Sequence, residues 1–218
     1  MSRIFMTMLA MALGAIVGSA QTPAQPQAPV QPQSNSKCSL TPAQAPAIRG
    51  IKLGMSTEEI VSLFPGSSQR PEIKKALESS EGYPNYGVAR LGFQLLTYPT
   101  VAKDRFAGID AVWVTLFDGR VAELRVNYAG LDSRPRGAVW PNVDDFIAKL
   151  SEAYALPAAR DWRQGAQNYK VLECDGLDIE ATTPNGSASV SLRSTKSFDT
   201  SRERAAEVEE KIRKEFRP

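Results

Sequence analysis

The sequence predicts an α+β protein: two helix-plus-antiparallel-meander units, open to a tandem reading, closed by a C-terminal helix. Three observations carry this. Ser56-Thr57-Glu58-Glu59-Ile60-Val61 and Asn142-Val143-Asp144-Asp145-Phe146-Ile147 share one order of cap, spacer, two acids and two apolar residues, a helix-start pattern. Asp118-Gly119, Asp175-Gly176 and Asn185-Gly186 punctuate alternating runs, the strongest short-range hairpin signal. The last stretch, residues 200–216, places Ala205, Val208, Ile212 and Phe216 at helical spacing among charges, so it reads as an amphipathic helix.

Composition bounds the chemistry. The chain has 218 residues, 42% of them apolar, which is enough for a core. A formal charge of +2 points to neither nucleic acid nor an anionic membrane as partner. With no His, Ser-His-Asp and Cys-His sites, HExxH zinc sites and imidazole bases cannot be built.

Residues 1–20 carry Arg3 as the only charge, an apolar run from Ile4 to Val17, and Gly18-Ser19-Ala20. This predicts a cleaved secretory signal peptide, because the run is shorter than the roughly 20 residues that span a bilayer. No Cys follows it closely, so lipid attachment is not expected, and a periplasmic or secreted location is. Pro23, Pro26, Pro29 and Pro32 then recur among Gln, Ala and Ser without a charge. Such a stretch favours extended polyproline II; residues 21–47 read as a linker. Cys38 and Cys174 are the only cysteines, and an even count in an oxidising compartment predicts a disulfide.

The first unit spans residues 48–130. Ser56 caps a helix and Glu59 closes a capping box, with Met55 and Ile60 as a hydrophobic staple and Pro65-Gly66 as the stop. A second helix is expected from Pro71 to about Ser79, with Ile73, Ala76 and Leu77 inward. Ala89, Leu91, Phe93 and Leu95 alternate as a half-buried strand. The hairpin 108–117/120–128 about Asp118-Gly119 predicts Trp113 opposite Leu124, Ala111 opposite Val126 and Ile109 opposite Tyr128 on one side. Val114 opposite Glu123, Val112 opposite Arg125, and Leu116 opposite Val121 form the other. In the second unit, 140–218, Val143, Phe146, Ile147, Leu150 and Tyr154 make the stripe of a helix. Leu172, Ile179 and Leu192 then fall in one row across three strands, and Glu173, Asp178 and Arg193 in one row on the other face. The final helix is expected to bury Ala205, Val208, Ile212 and Phe216, with Glu207/Lys211 and Glu210/Lys214 paired along it.

The segment Ile51-Lys52-Leu53-Gly54-Met55-Ser56-Thr57-Glu58-Glu59-Ile60 through Gly66 resembles the start of the small BamE-like outer-membrane lipoproteins. It also resembles each repeat of the β-lactamase-inhibitor-protein fold. The resemblance covers residues 48–128. It implies helices followed by an antiparallel meander, and protein recognition on the open sheet face rather than catalysis.

The best catalytic candidates are Glu173, Asp175, Asp178 and Glu180, since paired carboxylates can hydrolyse glycosides. Arg193 beside Asp178 offers the simpler reading of a salt-bridged face. The expectation is therefore a non-enzymatic, exported, bacterial-type protein-binding or envelope-associated module with no cofactor or metal. Its partner would be another protein of the envelope or exterior, with no nucleic acid and no stable membrane insertion. The alternative is a carboxylate-dependent hydrolase of glycans or envelope polymers. Val112, Val114, Leu116 and Val121, rimmed by Glu123 and Arg125, form the expected partner surface, with Tyr83 and Tyr86 on the neighbouring loop. Trp113, Trp140 and Trp162 are expected in the core or at its edge.

Overall fold

A computed structural model describes residues 38–80, 86–128, 140–165, 168–184 and 187–215. Residues 1–37, Tyr83, the expected Asn185-Gly186 turn and Phe216 lie outside them. The elements are α1 (Thr57–Ser62), α2 (Pro71–Glu78), β1 (Val88–Gln94), α3 (Pro99–Asp104), β2 (Ile109–Phe117) and β3 (Arg120–Tyr128). They continue as α4 (Val143–Tyr154), β4 (Arg163–Gln164), β5 (Tyr169–Glu173), β6 (Leu177–Thr182), β7 (Ala188–Ser194) and α5 (Thr195–Glu215). This is an α+β fold with antiparallel strands and a C-terminal helix.

The seven strands form one sheet in the order β1-β2-β3-β7-β6-β5-β4. Each meander ends at the centre, where β3 and β7 pair antiparallel with Leu124 opposite Leu192 and Val126 opposite Val190. α2 packs on β1 and α4 on β6. Beneath them lie Leu91, Phe93, Val112, Val114, Leu124, Val126, Val190 and Leu192, in one core with Ile60, Phe64, Ile73, Phe146 and Ile147. Phe64 stacks on Phe93 and Phe106, at centroid distances of 3.9 and 5.1 Å.

The local signals give the starts of α1, α2 and α4. Ser56 Oγ accepts from Glu59 N, and the Glu59 carboxylate accepts from Ser56 N at 2.7 Å. Asn142 Oδ1 caps α4 by accepting from Asp145 N at 2.9 Å. Pro71 starts α2, with Ile73 buried and Ala76 and Leu77 half-buried. At the β2–β3 turn Asp118 and Gly119 both have positive φ, 48° and 73°, the type I′ geometry that two-residue hairpins favour. The rows Leu172–Ile179–Leu192 and Glu173–Asp178–Arg193 stand as expected.

The hairpin register departs from expectation. Phe117 pairs with Arg120 and Leu116 with Val121, but Thr115 pairs with Glu123, leaving Ala122 as an extra residue on β3. A second bulge at Asp110 restores Ile109 opposite Tyr128. Between the bulges Val114 therefore meets Leu124 and Val112 meets Val126, while Trp113 meets Arg125. One slip of one residue exchanges the faces. Val112, Val114, Leu116 and Val121 are each at most 3% exposed; they are core, not an open partner patch. The bulges put the aliphatic set of each strand on the same side, which a straight ladder would have split.

Three further expectations are corrected. Packing reaches back beyond Ile48 to Cys38 at least: Cys38 is disulfide-bonded to Cys174, Leu40 and Ala45 pack on the core, and Asp175 N donates to Leu40 O. α3 is an additional helix, begun by Pro99. α5 buries none of its residues, and Ile212 is 50% exposed. This helix is held through its first half, by Thr195 N donating to Gly176 O and by Arg204. Nothing described packs on residues 209–215, which are all exposed. Its surface pairs are Glu210–Lys214 and Lys211–Glu215.

Candidate functional site

The face of the sheet opposite α1, α2 and α4 is built from the other half of each strand. Its rows follow from the pairing. Gly92, Trp113, Arg125, Ser191, Glu180 and Val171 cross six strands in one row; Arg90, Thr115, Glu123, Arg193, Asp178 and Glu173 cross them in the next. Most of these side chains are polar, as a solvated antiparallel sheet face requires.

The acids in these two rows are each paired. Glu123 accepts from Thr115 Oγ1 at 3.0 Å and Ser191 Oγ at 3.1 Å, with an Arg125 guanidinium nitrogen at 3.7 Å. Arg193 spans Asp178 at 3.4 Å and Glu180 at 2.6 Å, and Arg163 pairs with Glu173. The four acids singled out by sequence are thus accounted for, three by arginines and Asp175 by its turn. The ladder relieves the repulsion that Glu173 directly opposite Asp178 would otherwise bring.

Aromatic rings interrupt the ladder at both ends. Trp113 is 44% exposed and lies on the backbone of Gly92: a Cβ there would come within 2.4 Å of its six-membered ring. Tyr169 covers Gly165 in the same way, at 2.2 Å; burial, and then the Glu180 carboxylate, raise its phenol pKa above the usual value. Covering a strand glycine with an aromatic neighbour stabilises a sheet. It also leaves the other side of the Trp113 ring turned to solvent. Trp113 thus lies outside the core, unlike Trp162, which is 4% exposed, and Trp140, which packs on Phe146.

Beside Trp113 the face forms a cleft of about 490 Å3 whose lining includes Arg90, Arg125, Asn127, Thr182 and Pro184. Of the sequence-expected partner residues, Arg125 and its rim neighbour Glu123 stand here, with the buried Val114 beneath them. Tyr86 lies in a different cleft, about 510 Å3, between α5, α1 and the β2–β3 turn. There Arg204 donates to both Asp118 carboxylate oxygens, at 2.8 and 2.9 Å, and to Tyr86 O at 3.1 Å. Those hydrogen bonds hold the Asp118 carboxyl below its ordinary range. This second cleft is closed around an ion pair that fastens a helix, so it is structural before it is receptive.

Sequence reasoning missed Trp113, Arg90 and Asn127 because it put the wrong face of the hairpin outward. One signal was present: an isolated glycine inside a strand, Gly92, marks a close approach. Among the described residues no group of acidic or cysteine side chains converges as a metal-ligand set, and no helix is long and apolar enough to cross a membrane. The chain matches no family model, no curated protein and no solved structure.

Proposed function

We propose that this protein is a non-enzymatic, exported binding module, associated with the envelope, that holds its partner on the open face of the sheet. The observation that carries the reading is Trp113. A half-exposed indole, braced by Gly92 beside a concave polar cleft, is the kind of anchor that dominates recognition surfaces. The Cys38–Cys174 disulfide and the leader-like residues 1–20 support export.

The ion pairing of the acidic residues favours this reading over the alternative of a carboxylate-dependent hydrolase. A general acid needs a carboxyl kept protonated by its surroundings. Glu173, Asp178 and Glu180 are instead engaged in ion pairs with Arg163 and Arg193 across an open sheet face.

The test is capture from an envelope extract with the wild-type chain and with Trp113→Ala, whose fold is first verified by circular dichroism. A partner retained by the wild type and by Ile212→Ser, but lost by Trp113→Ala, is the expected result. A captured set indifferent to Trp113 rejects the open face as the binding surface.

A further inference from the structure

We propose that the Trp113 cleft binds an acidic saccharide, with a sugar ring stacked on the indole and its carboxylate held by Arg125 and Arg90. This rests on the reading of the open face as the binding surface and names the ligand class of that site.

The shape of the cleft comes first. One wall is Trp113 on β2; the other is formed by Thr182 and Pro184 at the end of β6. β3 and β7 lie between them, so the backbones of the walls are three strand spacings apart, about 14 Å. That admits a short run of linked rings and is too narrow for a folded domain. A protein interface would also need an apolar centre depleted of charge, whereas the middle of this face is the ion-paired ladder of Glu123, Arg193 and Glu180.

The chemistry of the lining comes next. The exposed side of an aromatic ring is its negative face. It attracts C–H groups made positive by neighbouring oxygens, and a pyranose ring presents a row of such groups. Gly92 holds the indole flat on the strand, so the platform exists before any ligand arrives and little ordering is lost on binding. Around it stand hydroxyls and an amide, from Thr182, Ser189 and Asn127, matched to the hydroxyls of a sugar.

The charge balance selects an acid. Glu123 is occupied by the Thr115 and Ser191 hydroxyls and by Arg125. Arg90 forms no ion pair with any described residue, and Arg125 has only the 3.7 Å contact to Glu123. Each guanidinium offers five N–H donors. The cleft thus holds more donors than acceptors and one net positive charge. A carboxylate answers both, because its paired oxygens suit a guanidinium fork.

The experiment titrates the mature chain with tetragalacturonate and with its methyl ester, which keeps the rings and removes the charge. The tetra-acid is expected to bind, and the ester to bind about tenfold more weakly. Trp113→Ala should weaken the tetra-acid by a similar factor. Arg125→Ala, a change at a half-exposed side chain, should do so without loss of fold and should flatten the dependence on salt. Equal binding of acid and ester overturns the proposal. So does failure of both sugars to bind while an envelope protein is still captured in a Trp113-dependent way; the open-face reading then survives. If both sugars fail and capture ignores Trp113, both readings fall together.

Discussion

Gly92 and Trp113 show how much one missing methyl group decides. A Cβ at residue 92 would sit 2.4 Å from the indole, so Gly92→Ala must push the ring off β1. The backbone φ there is ordinary, and the ring can swing into solvent, so the expected cost is only about 1 kcal/mol. The effect should appear as a changed near-ultraviolet circular dichroism signal and loss of cleft binding, with the thermal midpoint little moved. Asp118 offers a test of a different kind. Arg204 lowers its pKa in the folded chain from the ordinary 3.8, so the pair contributes fully above that value and is lost as pH falls through the lower, folded one. The side chains are 53% and 39% exposed, which keeps the contribution small. Fraying of α5, followed by helical ellipticity, is expected to increase below about pH 4. Asp118→Asn should already be frayed at neutral pH and show no such step; an identical acid profile in both proteins would deny the pair any role.

Among the elements, helices and hairpin turns were legible, because their signals act within a turn of chain. Ser56 with Glu59, Asn142 with Asp145, and Asp118 with Gly119 each satisfy backbone groups within four residues of themselves. Ser56→Ala should cost about 1 kcal/mol in denaturant unfolding. Strand facing in the β2–β3 hairpin was not legible. β2 reads Ala111-Val112-Trp113-Val114-Thr115-Leu116, apolar enough on both sides that alternation alone cannot choose. The choice falls to β3, where Glu123, Arg125 and Asn127 alternate with Leu124, Val126 and Tyr128. The Ala122 bulge brings the two patterns into step. Since Val114 is 1% exposed against the helices, Val114→Asp is expected to unfold the chain, by burying an unpaired charge. Leu124→Ala should cost about 2–5 kcal/mol in urea unfolding. A folded Val114→Asp protein would mean the register is wrong.

Across the whole molecule, two long-range ties close the fold. β3 and β7 join the meanders at the centre of one sheet, and the Cys38–Cys174 bridge spans 136 residues. Closing a loop that long restricts the unfolded chain strongly. Cys38→Ser with Cys174→Ser is expected to lose about 2–5 kcal/mol of unfolding free energy, read from the urea midpoint, and to free residues 38–47 first. An unchanged midpoint would show that Leu40 and Ala45 hold that segment by packing alone.

By itself the sequence determined the fold class, the starts of α1, α2 and α4, the turns at Asp118-Gly119 and Asp175-Gly176, the pairing of its two cysteines and the rows of the second meander. Each depends on neighbours along the chain or, for the cysteines, on there being only one possible partner. Tertiary structure decided which face of the first hairpin meets the helices, where Trp113 points, and what α5 leaves uncovered. Those outcomes depend on packing between segments far apart in sequence, and a one-residue bulge that lets Val112, Val114, Leu124 and Val126 share one core moves the candidate site to the opposite side of the sheet.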